Sequence, residues 1–181
     1  MDGSTTPAEV HRLQSPLGTV VLVAEEAGLT KLQFESSDER PLINRLGGSA
    51  AARAHIDRAV DALGAYLGGE RRAFDDADLD LVPRGTAFQL RVWEALSRIP
   101  YGETRTYGEI AVAVDEPGAS RAVGMANNRN PFAIVIPCHR VIGSDGSLTG
   151  YGGGLDRKRW LLTHEGVLSG SLFEPHVGRG A

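Results

Sequence analysis

The sequence predicts an α+β fold: a small N-terminal sheet-plus-helix domain over residues 1–83, then a mostly helical C-terminal domain over 84–181 that contains a helix-turn-helix. Three observations carry this. The β-rich runs "TVVLVA" and "LTKLQFE" are confined to the start of the chain. Helical periodicity takes over after the break at Pro83 and Gly85. Two short helical segments then flank a turn-forming "DEPGA", the arrangement of a helix-turn-helix.

In chain order, the two β runs surround Glu25-Glu26-Ala27-Gly28, a hairpin loop ending in Gly. "AARAHIDRAVDALGAYLGGE" places Ile56, Val60, Leu63 and Leu67 on one helical face, stopped by Gly68-Gly69. "AFDDADLDLVPRG" reads as a final extended segment before the boundary. Phe88, Val92, Leu96 and Ile99 recur at three and four residues, marking an amphipathic helix. Thr106 and Glu109 form a capping box ahead of "IAVAV". "SRAVGMANNRN" is a further helix that must end before Pro131. "DRKRWLLTHEG" is the last, capped by Asp156 and stopped at Gly166. The tail "SGSLFEPHVGRGA" reads as loosely held.

With 41% hydrophobic and 23% charged residues in 181, the composition is that of an ordinary globular protein with a real core. The polar opening "MDGSTTPAEV" gives no expectation of a secretion signal. The longest apolar run, Phe132 to Ile136, is far too short to span a bilayer. The single cysteine, Cys138, excludes an internal disulfide and a thiolate-based structural zinc site. A reducing, cytoplasmic location is expected, with no metal and no cofactor. The net charge of −4 argues against a generic nucleic-acid binder, yet it is uneven. Residues 1–83 carry 8 basic and 14 acidic side chains; residues 84–181 carry 11 and 9. From Gly118 to Arg140 there are three arginines, Arg121, Arg129 and Arg140, and no acid. Phosphate contact requires a local basic surface of that kind.

Two features leave structure and chemistry both open. Ala119, Ala122, Gly124 and Ala126 strip one helix of bulk, although Gly124 costs about 1 kcal/mol of helix propensity against Ala. Close approach to a nucleic-acid backbone and close helix packing fit this equally. Cys138, in "NPFAIVIPCHRVIG", is either a small buried hydrophobe or a nucleophile. A nucleophilic thiol needs a base, and the base an orienting carboxylate; His139 and Glu165 are candidates in the same half of the chain.

"IPCHRVIGSDGSLTGYGGGLDRKRWLLTHEG" resembles the active-site block of the O6-alkylguanine-DNA alkyltransferases, the methylated-DNA–protein-cysteine methyltransferases. Pro137-Cys138-His139-Arg140 matches the family signature. The likeness extends through "FQLRVWEALSRIPYGETRTYGEIA", "SRAVGMANNRNP" and "TGYGGG", and more loosely through "SPLGTVVLVAEEAGLTKLQF". The resemblance implies that residues 84–181 bind DNA and accept the alkyl group, with residues 1–83 mainly structural. Cys138 would be the acceptor, with His139 its base through a bound water and Glu165 orienting the imidazole. Asn130 would tie the recognition helix to the active-site turn, and Lys158 would lie beside Cys138. Tyr107 would assist proton delivery to the guanine and steer a phosphate. The carbonyls of Cys138 and Val141 would recognise the guanine amine, with Tyr151 and Gly152 forming the pocket loop. Arg121 would fill the gap left by the flipped nucleotide. Ala119, Ser120, Ala122 and Gly124 would lie against DNA, and Ser144 would contact phosphate. The implied partner is double-stranded DNA carrying O6-alkylguanine, approached through the minor groove by a monomer, with cooperative loading an open alternative. "NNR" at 127–129 and Ala133 lie where members of that family vary, which leaves pocket width and the preference among bulky adducts open.

The chemistry sets a requirement. At an ordinary thiol pKa of about 8.5, roughly 3% is ionised at neutral pH. If a site lowered this to about 6.5, the ionised fraction would rise roughly 25-fold. Intrinsic nucleophilicity would fall about 8-fold, for a net gain of only about threefold. Alignment of sulfur, carbon and leaving oxygen can contribute up to about 7–11 kcal/mol. Two rivals predict different products: a helix-turn-helix protein that binds lesions without reacting, and a Cys-His hydrolase that turns over an acyl substrate.

Overall fold

The computed structural model describes residues 7–35 and 47–169. The tail beyond Ser169 lies outside them. Three strands, β1 (Glu9–Ser15), β2 (Gly18–Glu25) and β3 (Gly28–Phe34), form an antiparallel meander in the order β1-β2-β3. Helix α1 (Ala50–Leu67) begins at Ser49, whose hydroxyl accepts from the Ala52 N–H, and ends at Gly68. It buries Ile56, Ala59, Leu63 and Tyr66.

The expected extended segment at 73–85 is corrected in part. Ala73–Asp76 form a short helix, α2, and only the stretch around Leu81 is extended, bridging Leu29 of β3. Its Phe74 ring lies 5.3 Å from that of Tyr66, so aromatic packing overrides a β-like pattern.

The second half comprises α3 (Ala87–Ser97), β4 (Arg105–Thr106), α4 (Tyr107–Ala113), α5 (Ser120–Asn128), a 3₁₀ turn at Cys138–Arg140, β5 (Val141–Ile142) and α6 (Leu155–His164). Helices α4 and α5 form the expected helix-turn-helix. Capping boxes start both α3, at Thr86 and Gln89, and α4, at Thr106 and Glu109. Asp156 is not the cap of α6. Gly154 holds that position, and Asp156 sits exposed in the first turn.

One hydrophobic core runs through both halves, from Leu22, Leu32 and Leu63 to Val92, Phe132, Val141 and Leu161. The sheet edge joins it. Along β3, Leu29 exchanges backbone hydrogen bonds with Asp80 and Val82. Further on, the Leu32 N–H donates to the Pro131 carbonyl at 2.9 Å, and the Ala133 N–H to the Leu32 carbonyl at 2.7 Å. Unpaired strand edges invite association; here the segment leading to Cys138 occupies one.

Candidate active site

Cys138 opens the 3₁₀ turn, and its shape is set upstream. The Asn130 side chain accepts from the Phe132 N–H at 2.9 Å and donates to the Ile136 carbonyl at 2.8 Å. Ile134 within this loop has φ +72°, a left-handed conformation that a β-branched residue adopts only under constraint. Asn130 and the pairing to β3 supply that constraint. Asn130 thus joins the end of α5 to the turn that carries the thiol.

Helix α6 brings Lys158 and Glu165 to the turn from one face, seven residues and two turns apart. The Glu165 Oε1 accepts from His139 Nε2 at 2.8 Å, from Arg140 at 2.9 Å and from the Tyr66 hydroxyl at 2.7 Å. Its Oε2 accepts from Arg140 Nε at 2.8 Å and from the Gly102 N–H at 3.3 Å. Burial pushes this carboxyl up, but the hydrogen bonds and charges of His139 and Arg140 outweigh it and hold it well below the usual carboxylate range. An ionised Glu165 fixes the imidazole proton on Nε2. His139 Nδ1 is then a lone-pair acceptor, buried and without a hydrogen-bond partner. Burial lowers the imidazole's pKa against the pull of Glu165, which keeps it neutral with its Nδ1 lone pair available.

Cys138 is 5% exposed. Burial pushes its thiol up to about 11, opposed by the Asn130 side chain, the Lys158 charge and the backbone N–H groups of Cys138 and His139. The resting thiol is therefore protonated near neutral pH, so catalysis does not draw on a standing thiolate. Lys158 is itself lowered to about 8, by burial, with Cys138 acting the other way. Its ammonium donates to the carbonyls of Val141 at 2.5 Å and Thr149 at 2.7 Å.

The strand pair β4–β5 runs parallel, Arg105 opposite Val141, and sets Tyr107 at the start of α4 near the segment that follows the thiol. The Tyr107 hydroxyl donates to the carbonyls of Thr149 and Gly150, at 3.0 and 3.1 Å. Burial raises its pKa, so it keeps its proton. At Gly150, φ is +55° and a Cβ would sit 3.0 Å from that hydroxyl, so the pocket loop needs glycine there. At Gly152 a Cβ would come 3.2 Å from the Asn128 carbonyl.

These elements enclose a cavity of about 200 Å³. Cys138, Asn130, Tyr151 and Gly152 line it, as do Asn127 and Asn128 at the end of α5. Gln33 and Phe34 of β3 contribute from the N-terminal half. Drug-sized pockets run to roughly 300–1,000 Å³; this one suits a single heterocycle. Asn127 donates to the Cys138 carbonyl at 3.3 Å, leaving its Oδ1 unpartnered, as is the Tyr151 hydroxyl. The two carbonyls expected to recognise an amine are thus already engaged, Cys138 by Asn127 and the Val141 N–H, Val141 by Lys158.

On α5, Arg121 and Ala122 are exposed, Ala119, Ser120 and Gly124 are half-buried, and Ser144 is exposed on the loop after β5. Arg121 makes no hydrogen bond or ion pair with the described residues. The packing use of the small residues is present. Ala126 is buried and its carbonyl accepts from the Trp93 indole at 2.9 Å, and Gly124 faces the Tyr107 ring; Ala122 faces outward. Arg140 corrects the basic-surface expectation: it is buried, its charge spent on Glu165 and the Ile99 carbonyl. Of the three arginines, Arg121 and Arg129 remain exposed. Sequence reasoning missed Tyr66, Gln33 and Phe34, and marked Asn127 only within 127–129 as bearing on pocket width. Tyr66 reads as one more apolar helix residue, and Gln33 and Phe34 carry no motif.

A thiol in a base-sized pocket, backed by a buried His-Glu pair beside a helix-turn-helix, defines a class of cysteine-dependent acceptor that works on DNA. Residues 87–167 match the family model described as 6-O-methylguanine DNA methyltransferase, DNA binding domain, and residues 10–81 match its ribonuclease-like domain. A methylated-DNA–protein-cysteine methyltransferase of Mycolicibacterium paratuberculosis is 53% identical over 157 residues, covering 87% of this chain and 92% of that one. Its namesake in Methanosarcina barkeri is 51% identical, covering 84% and 94%. The Mycobacterium tuberculosis protein solved in complex with DNA is 47% identical, with a TM-score of 0.74 over 86% of this chain and 91% of that one. This chain belongs to the 6-O-methylguanine DNA methyltransferase family.

Proposed function

We propose that the protein repairs O6-alkylguanine in DNA by moving the alkyl group, once and irreversibly, onto Cys138. The observation that carries this reading is the buried thiol lining a cavity for one heterocycle, next to an imidazole whose Nδ1 is free to accept a proton. Attack forms the S–C bond and breaks the C–O6 bond, whose electron pair stays on guanine. The thiol proton passes through a bridging water to His139 Nδ1, and Glu165 stabilises the imidazolium. Because the resting thiol is protonated, its proton leaves as the attack proceeds. Lys158 steadies the charge on sulfur. Tyr107 exchanges its loop carbonyls for the base and assists protonation of the leaving guanine. The product is a thioether with no carbonyl for water to attack, so each molecule acts once.

A base inside a duplex is out of reach, so the target is flipped out at a cost of a few kcal/mol. Exposed Arg121 fills the gap, with Ser120, Ala122 and Gly124 against the minor groove and Ser144 on a phosphate. Tyr151, Gly152 and the carbonyls of Cys138 and Val141 hold the flipped base, Val141 through its second lone pair and Cys138 by exchanging the Asn127 amide for the guanine amine. Residues 84–181 carry the acceptor and the DNA surface. The protein works as a monomer, in the reducing cytoplasm where a free thiol persists.

Intact-protein mass spectrometry after incubation with O6-methylguanine DNA tests this. The expected result is one added methyl, mapping to Cys138, on a stoichiometric fraction of the protein. Tight binding with no added mass overturns it.

A further inference from the structure

We infer that Tyr66, a residue of the N-terminal half, is a positioning residue for the base of the reaction: its hydroxyl sets how strongly Glu165 polarises His139. This rests on the reading of Cys138 as alkyl acceptor. The argument begins at one oxygen. Glu165 Oε1 receives three donors, the Tyr66 hydroxyl at 2.7 Å, His139 Nε2 at 2.8 Å and Arg140 Nη2 at 2.9 Å. A carboxylate oxygen offers about two lone-pair sites. Tyr66 and His139 therefore compete for the same electron density, and a change at one donor is felt by the other.

The placement is built from both halves. Tyr66 lies in the last turn of α1, and Glu165 caps α6. The two helix ends dock reciprocally, because the His164 ring also meets the Tyr66 carbonyl at 2.8 Å. The Tyr66 ring packs against Phe74 at 5.3 Å, His164 at 5.2 Å and Tyr101 at 6.1 Å. Ring packing alone would be served equally by phenylalanine. The hydroxyl is buried and has Glu165 as its acceptor. Burial, with the negative charge of Glu165, drives the phenol far above its ordinary range, so it is a permanent donor.

Among the described residues, the charged and titratable groups facing the pair come from several elements. Glu165 meets Tyr66 from α1, Tyr101 from the loop after α3, His139 and Arg140 from the 3₁₀ turn and Tyr151 from the pocket loop, and His164 of α6 packs on the Tyr66 ring. His139 feels Glu165, Arg140 and Lys158. Arg140 and Lys158 oppose a positive charge on the imidazole, and Glu165 favours it. Removing the phenol proton from Oε1 frees carboxylate density for His139 and makes the imidazole easier to protonate. His139 must be neutral to take the thiol proton, so the acid limb of the reaction should move to higher pH.

The test is the pH dependence of alkyl transfer to Cys138 from a free O6-alkylguanine base, followed by mass spectrometry in the full-length protein. Tyr66→Phe is expected to raise the acid-limb midpoint by about half a pH unit, a roughly threefold change in the protonation ratio, with little change on the plateau. Site-specific 3-fluorotyrosine at position 66, a stronger donor of nearly the same shape, should move the midpoint the other way; it decides alone if Tyr66→Phe does not fold. A role limited to packing would lower the melting temperature or the plateau without moving the limb. An unmoved midpoint therefore overturns the inference even where stability falls. Wild-type protein that gains no alkyl group overturns the functional reading and this inference with it; wild-type transfer with an unmoved midpoint overturns this inference alone.

Discussion

Glu165 draws its donors from α1, the loop after α3 and the thiol's own turn, so a single carboxylate couples stability to chemistry. Its pKa is depressed on folding. Its stabilising contribution is therefore present above the unfolded carboxylate value, near 4.3, and is lost as pH falls through the lower folded value. Breaking a buried ion pair by removing one partner typically costs about 3–5 kcal/mol. Glu165→Gln should accordingly lower the urea-derived unfolding free energy at pH 7 by about that much, and flatten the acid dependence of what remains. A variant as stable as wild type at pH 7, with the same acid midpoint, would contradict the network. The Cys-His adjacency and the carboxylate in "THEG" were legible in the sequence. The direction of the thiol shift was not, because burial depends on which elements close over the sulfur. Tyr66 was hidden for the same reason: its α1 spacing states that it faces inward, not what it meets there.

Helix α5 divides its labour by face. Val123, Ala126 and Asn127 turn inward, and Arg121, Ala122 and Met125 turn outward, with Met125 60% exposed. Arg121 and Met125 are four residues apart and share a side of the helix. If Arg121 fills a flipped-out nucleotide's place, Arg121→Ala should slow repair of duplex DNA more than reaction with the free modified base. Equal losses in single-turnover assays would remove that role. Asn130→Ala acts differently. It leaves the buried Phe132 N–H unpaired, at about 1–3 kcal/mol, takes one of two donors from the Ile136 carbonyl, and releases the constraint on Ile134. It should lower both the melting temperature and the rate, with duplex and free base affected alike. The helix-turn-helix and its Thr106–Glu109 capping box were readable because caps and periodicity are local. The Asp156 cap failed because a glycine with φ +90°, Gly154, took the position two residues earlier than the helical pattern suggested. The segment at 73–85 failed because contact with Tyr66 decided it.

The molecule as a whole is less divisible than its two-part sequence. Its core is continuous, and β3 pairs with the segment just before the thiol. Thermal unfolding of the intact chain should be one cooperative transition with matching calorimetric and van't Hoff enthalpies. A fragment of residues 84–181 should show neither that transition nor alkyl transfer, since it leaves Phe132 and Ile134 uncovered. An active, cooperatively melting fragment would refute this. The boundary at Pro83 and Gly85 was visible as composition; the hydrogen bonds that cross it had no signature, because strand pairing between distant segments leaves none in a single chain. The β3 edge has a practical corollary. A strand-mimicking compound that displaced Pro131–Ala133 from Leu32 would disarm the sulfur from behind, with its mouth left open to DNA, a route to inhibitors that need not resemble a purine.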